Sequence, residues 1–143
     1  MGVRKYADMV KSVPFQSYEL DGLRQGTELT KEFHGFDVNV KYGAYWVPGR
    51  MGNEPYVPHT HEYDQVLLIA GADMDDIGQL GGEVELCLGE NMETHMITTT
   101  TAIAIPKGMP HFPATLNRLD RPFIYMEISL TNECKEIPVE TKK

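Results

Sequence analysis

At 143 residues the chain is expected to form one domain with a sizeable buried core, leaving no room for a second catalytic domain. Its 13 basic against 21 acidic residues, a net charge of −8, argue against a polyanion binder, because neutralising phosphates needs clustered Lys and Arg; nucleic acid is not an expected partner. Met1 to Leu20 carries charges throughout with no apolar h-region, and no window approaches the ~18 apolar residues of a membrane span, so the expectation is a cytoplasmic protein without membrane attachment.

Strand signals dominate along the chain. Residues 1–34 are weakly patterned, although Val13, Phe15, Tyr18 and Leu20 suit an N-terminal arm or edge strand. Phe36, Val38, Val40, Tyr42 and Trp46 then alternate with Asp37, Asn39 and Lys41, which predicts a strand whose first set is buried. The apolar run Gln65 to Ala70, stopped by Gly71, predicts a strand buried on both faces or closing a barrel. Asp73 to Gly78 is acidic but lacks the later bidentate Glu of a calcium loop, and reads as a solvated turn. Glu83 to Leu88 follows, with Val84, Leu86 and Leu88 on one face. The β-branched stretch from Met96 to Ile105 suggests two short strands with a bend hidden in its Thr block. Pro122 to Leu130 is the last strand, and 131–143 a charged, frayed tail. Cys87 and Cys134 lack CxxC spacing and are expected to be reduced packing residues. Short strands with Gly/Pro turns and no convincing amphipathic helix predict an all-β sandwich or barrel over about 35–130.

The chemistry is concentrated in two segments, His59-Thr60-His61-Glu62-Tyr63-Asp64-Gln65 and Pro106-Lys107-Gly108-Met109-Pro110-His111. Side chains at i and i+2 of a strand share a face, so His59 and His61 can converge on one ion. Gln65 joins them if the chain stays extended or a tight turn returns it, and His111 supplies a third imidazole behind a Pro-x-Gly turn. Imidazole nitrogens and an amide oxygen suit one divalent metal ion of the group Zn, Fe, Mn, Ni, Co or Cu.

These segments resemble the two motifs of the cupin superfamily, approximately G-x5-HxH-x3,4-E-x6-G and G-x5-PxGxxH-x3-N. Here the first reads Gly52-x6-His59-Thr60-His61-x3-Gln65-x5-Gly71, and the second Pro106 to His111 with Asn117 later than the family's Asn. The resemblance implies a cupin double-stranded β-helix, or jelly-roll barrel, in a single domain. It also implies His59, His61, Gln65 and His111 as the metal set, and a homodimer as the common assembly. Two departures stand out: no Gly precedes Pro106 at the usual distance, which leaves Thr100 or a neighbour to make that bend, and Gln65 replaces Glu. Three neutral imidazoles and a neutral amide leave the ion's charge uncompensated, which weakens affinity and favours anionic ligands.

Around that set, Tyr63 has the parity of the histidines and is a candidate proton donor, while Tyr42 and Trp46 are candidate walls for an aromatic ligand. Glu127 sits in an otherwise apolar strand. It either points into solvent or, if buried, needs a partner and can act as a general base. His34 and His95 are further histidines that no spacing rule places at the metal. The resulting expectation is a small-molecule metalloenzyme using Lewis-acid chemistry of isomerase or cyclase type. The rivals are an Fe-dependent dioxygenase, a non-catalytic small-molecule binding or sensing cupin, and a structural zinc with function at a dimer surface.

Overall fold

The computed structural model describes residues 5–20, 23–52 and 56–139, with the backbone alone for 16–20, so the expected side-chain roles of Tyr18 and Leu20 lie outside the described residues. Two antiparallel sheets face each other. The first contains β1 (Gln16–Leu20), β2 (Leu23–Leu29), β3 (Asn39–Tyr45), β11 (Phe123–Ser129), β6 (Gln65–Gly71) and β9 (Thr101–Ile105), hydrogen-bonded in that order. The second runs β12 (Ile137–Pro138), β5 (His59–Thr60), β10 (His111–Leu119), β7 (Gln79–Leu88) and β8 (Glu93–Thr99), with β4 (Gly49–Met51) also pairing β10. One turn of helix, α1 (Lys31–His34), separates β2 from β3. Among the described residues no helix is long and apolar enough to cross a membrane.

Alternation builds the core. In β7 the buried Leu80, Val84 and Leu86 face inward, and Leu116 of β10 and Phe123 of β11 meet them with 1% and 0% exposure. Fully burying side chains of this size contributes roughly 1.5–3 kcal/mol each. The run Gln65 to Ala70 is not buried on both faces as expected: Gln65, Leu67 and Ile69 point in, but Val66 is 41% exposed. A sheet of a two-layer sandwich has only one inner face, and β6 presents an apolar residue on its outer one. Gly71 ends β6 where a Cβ would collide with the Gln79 carbonyl.

The Thr block does bend. Thr100 separates β8 from β9, which lie in different sheets, so this residue is the corner at which the chain changes layers. Its N–H donates to the Gly78 carbonyl at 2.9 Å, and its Oγ1 accepts the Gly71 N–H at 2.9 Å while donating to the Ile77 carbonyl. The acidic segment beside it folds as a turn, with Asp73 Oδ1 capping the Asp75 N–H.

Two further expectations are corrected. The inner residues of β3 are Asn39, Gly43 and Tyr45, in one parity with Lys41, whereas Tyr42 belongs to the opposite set and packs its ring on Phe15 at 5.6 Å. The tail is not frayed through 139: Ile137 and Pro138 pair with Thr60 and His59, and the Val139 N–H donates to the Pro58 carbonyl. The N-terminal segment also contributes more than an arm. β1 is the edge strand, but β2 pairs along the length of β3, and Thr27 is buried with its hydroxyl on the Pro14 carbonyl.

Candidate metal centre

The two histidine segments are drawn together by backbone. His111 opens β10 directly opposite His59 of β5, and the Gly108 N–H donates to the His61 carbonyl at 2.8 Å. Gly108 makes that turn with φ +81°, a conformation favouring glycine. Asp64 clamps the same turn from below, accepting the Lys107 N–H on Oδ1 at 2.9 Å.

His59, His61 and His111 are all buried, and one ligand atom from each lies within 4.8 Å of the others. Their ring centroids are 4.4 to 4.9 Å apart. Burial, reinforced by the neighbouring imidazoles, lowers the pKa values of His59 and His111 to about 4, so both rings are neutral and carry a free lone pair at neutral pH. His111 Nδ1 faces the Met109 carbonyl at 2.9 Å and must carry its proton there, which leaves Nε2 as the acceptor; that atom is buried without a partner. His61 Nδ1 likewise donates to the Lys135 carbonyl at 2.7 Å, so its Nε2 also holds the lone pair.

Gln65 is 2% exposed and opens β6 after a bend at Glu62 and Tyr63, so the chain between His61 and Gln65 is a turn and not a continued strand. Its Nε2 donates to Glu127 Oε1 at 2.6 Å and to Ser129 Oγ at 3.0 Å. An ionised carboxylate only accepts, so this contact fixes the amide orientation. Gln65 Oε1 is thereby left buried with no partner. Buried polar atoms are rarely orphaned. Three clustered imidazoles, one with its Nε2 unpartnered, are the donor chemistry of a divalent transition ion, and an amide oxygen such as Gln65 Oε1 is compatible with it, so these residue types fit such an ion.

A cavity of about 330 Å³ adjoins this set, walled by Glu28, Lys41, Tyr45, Phe112, Tyr125, Glu127 and Glu136 among others. The histidines do not line it themselves. Phe112, whose ring is 5.3 Å from that of His59, and Glu136, whose Oε1 is 3.8 Å from His59 Nε2, connect it to the metal set. Tyr125 donates to Glu127 Oε2 at 3.0 Å. Burial first, and the Glu127 charge second, raise the Tyr125 pKa well above the ordinary phenol value, and burial pushes Tyr45 up to about 12; both phenols keep their protons. Burial disfavours the Lys41 ammonium, but the surrounding carboxylates, Glu127 foremost, outweigh it and raise its pKa.

Of the other candidates, Glu127 is half-buried on the cavity wall and is hydrogen-bonded by Gln65 and Tyr125. Tyr63 stacks on His61, with its OH 2.8 Å from Nδ1 and accepting the Lys135 N–H at 3.0 Å. It therefore lies on the far side of His61 from the lone pair, and fixes that ring. Tyr42 borders the cavity; Trp46 is 47% exposed under the Arg24 guanidinium and is not among its lining residues. His34 uses both ring nitrogens near α1, on Leu29 and Phe36, and His95 contacts Glu93 on the edge strand β8, so neither joins the metal set. Sequence reasoning did not find Lys41, Tyr125, Ser129, Lys135 or Glu136. The first could have been read from the Asn39-Lys41-Gly43-Tyr45 alternation had the polar parity been taken as the inner one.

No family model matches the chain, and no curated protein matches it. Among solved structures it resembles a cupin-2 domain from Rhodospirillum rubrum, with 14% identity over 90% of this chain and 76% of that one and a TM-score of 0.56. The fold is that of the cupins. The polyketide cyclase RemF from Streptomyces resistomycificus has 17% identity and a TM-score of 0.56, covering 100% of this chain and 88% of the cyclase. A recombinant oxalate oxidase in complex with glycolate has 14% identity and a TM-score of 0.55 over 82% of this chain, which spans only 55% of that protein. At these identities the likeness is one of fold, and a cyclase and an oxidase on one cupin frame show that the frame does not set the reaction.

Proposed function

We propose that this cupin is a metal-dependent small-molecule enzyme, with one divalent ion held by His59, His61, His111 and Gln65. The observation that carries the proposal is the buried cluster of three mutually close imidazoles beside a cavity, with His111 Nε2 left unpartnered; the second buried, unpartnered acceptor, Gln65 Oε1, is assigned to the same ion as part of this reading. When bound, such an ion supplies Lewis acidity toward a carbonyl, enol or phenol oxygen. Glu127 is the proton acceptor in the cavity wall: Oε1 is committed to Gln65, while Oε2 shares the Tyr125 hydroxyl and retains accepting capacity. Tyr45, whose hydroxyl accepts the Gly52 N–H and keeps its proton, donates a hydrogen bond to a substrate oxygen, Tyr125 holds its proton on Glu127, and Lys41 holds a positive charge opposite Glu127.

The expected preference for anions is revised. Glu28, Glu127 and Glu136 set three negative charges against the one of Lys41, so a divalent ion brings the cavity to neutrality without an excess. A neutral, oxygenated and partly aromatic substrate suits these walls best, and an isomerase- or cyclase-like reaction suits the paired carboxylate and phenols. The structural neighbours support a small-molecule site of this kind, since one is described as a polyketide cyclase. We further propose a homodimer formed through the outer face of the first sheet, where Val66 is exposed and its cross-strand neighbours are Ile128 and Ala104.

Elemental analysis of protein purified without added metal or chelator tests the reading: one divalent ion per chain is expected, and none in His59→Ala. Failure to take up Zn, Fe, Mn, Ni, Co or Cu at stoichiometry overturns it. Oxygen consumption by the iron-loaded protein, with none by the zinc-loaded form, replaces the Lewis-acid reaction with that of a dioxygenase.

A further inference from the structure

We propose that Glu136, on the strap formed by residues 135–139, is a carboxylate ligand of the metal centre and supplies the negative charge that Gln65 lacks. The inference rests on the metal reading above.

Gln65 cannot become the anionic ligand, because its amide hydrogens are spent on Glu127 and Ser129 and only a neutral oxygen is left over. Glu127 is charged but stands behind that amide, with both oxygens engaged by Gln65 and Tyr125. Glu136 differs on each count. Its Oε1 is 3.8 Å from His59 Nε2, it lines the cavity, and its side chain is 46% exposed and free to turn. Donors about 2.1 Å from a common ion stand roughly 3.0 Å apart when adjacent at right angles and 4.2 Å when opposite, so 3.8 Å is a ligand-to-ligand separation. The carboxylate approaches from the His59 side of the histidine group, and rotation about its side-chain bonds completes the approach to the rest.

The backbone that carries it is fixed from both sides. On one side Lys135 gives its carbonyl to His61 Nδ1 and its N–H to the Tyr63 hydroxyl. On the other, Ile137 and Pro138 pair with Thr60 and His59. The strap thus orients one histidine ligand through Lys135 and delivers a carboxylate to another through the next residue.

The test is titration of metal-depleted protein with Co2+, reading both affinity and the visible d–d absorption. Glu136→Gln is expected to weaken Co2+ at least about tenfold and to change the band, Glu136→Asp to fall between it and the wild type, and Glu133→Gln, just before the strap, to change neither. Far-UV circular dichroism checks that each variant is folded. Wild-type affinity and an unchanged band in folded Glu136→Gln would refute the assignment while leaving the four-residue metal set intact. If wild-type protein itself binds no Co2+, or His59→Ala binds it normally, the metal reading fails and this inference with it.

Discussion

The contact between Gln65 and Glu127 makes a demanding prediction about position 65. Gln65→Glu places a second carboxylate 2.6 Å from Glu127 Oε1, where an amide now donates. Two full charges at that separation repel by about 6 kcal/mol at an effective dielectric of 20. Retaining a proton is the cheaper route: holding one at pH 7 on a group of ordinary pKa near 4.3 costs about 3.7 kcal/mol, and the resulting O–H···O⁻ bond replaces the charge-assisted bond that the amide makes in wild type. The lost bond to Ser129 adds about 1 kcal/mol, so the metal-free variant should be some 4–5 kcal/mol less stable than wild type at pH 7. The sign is fixed by linkage. The native pair binds a proton that the unfolded chain releases above about pH 4.3, so the deficit grows as pH rises and shrinks toward the roughly 1 kcal/mol of the lost Ser129 bond near pH 4. Urea denaturation of chelator-treated protein between pH 4.5 and 8 measures it, and the double variant Gln65→Glu/Glu127→Gln, which reverses donor and acceptor, should recover to within about 1 kcal/mol. A Gln65→Glu protein as stable as wild type across this range, or a double variant no better than the single, would refute the argument that Glu127 selects an amide at position 65.

Because the His59 and His111 pKa values are lowered to about 4, the unfolded chain binds more protons than the native one between about pH 4 and 6.5; stability of the metal-free protein should fall by a few kcal/mol as pH drops through that window, as seen by urea denaturation. Tyr63→Phe removes the hydroxyl that meets His61 Nδ1 and the Lys135 N–H, and should weaken Zn2+ binding about tenfold in chelator competition without abolishing it. Val66→Asp, on the outer face of the first sheet, should shift sedimentation toward monomer while leaving the metal content at one ion per chain.

The histidine cluster was legible because its signal is local: His-x-His alternation and a Pro-x-Gly turn before His111 survive in one dimension. The cupin frame followed from the same motifs, and the corner at Thr100 from a β-branched run too long for one strand. What was hidden depended on pairing across the sheets. In β3 the inner face lines a polar cavity, so Asn39 and Lys41 imitate a solvent face, while the apolar outer residues around Tyr42 imitate a core. Amphipathic alternation gives the two faces of a strand, and assigns them wrongly when the interior is wet. The partners of Gln65 and His61 were invisible for another reason, since Glu127 and Lys135 come from strands and turns more than sixty residues away.

The strap also bears on the order in which the protein is made. His59 and His61 emerge well before His111, and the Lys135 carbonyl that fixes the His61 ring lies 74 residues beyond it. Contacts of such separation form late, after the intervening hairpins have shortened the loop between them. Until then the His-x-His pair is two loose imidazoles with no third partner and no oriented tautomer, a weak trap for any ion. On the proposed metal reading, discrimination among metals is thereby deferred to a nearly finished barrel, whose geometry and not the first ion encountered would decide what is kept.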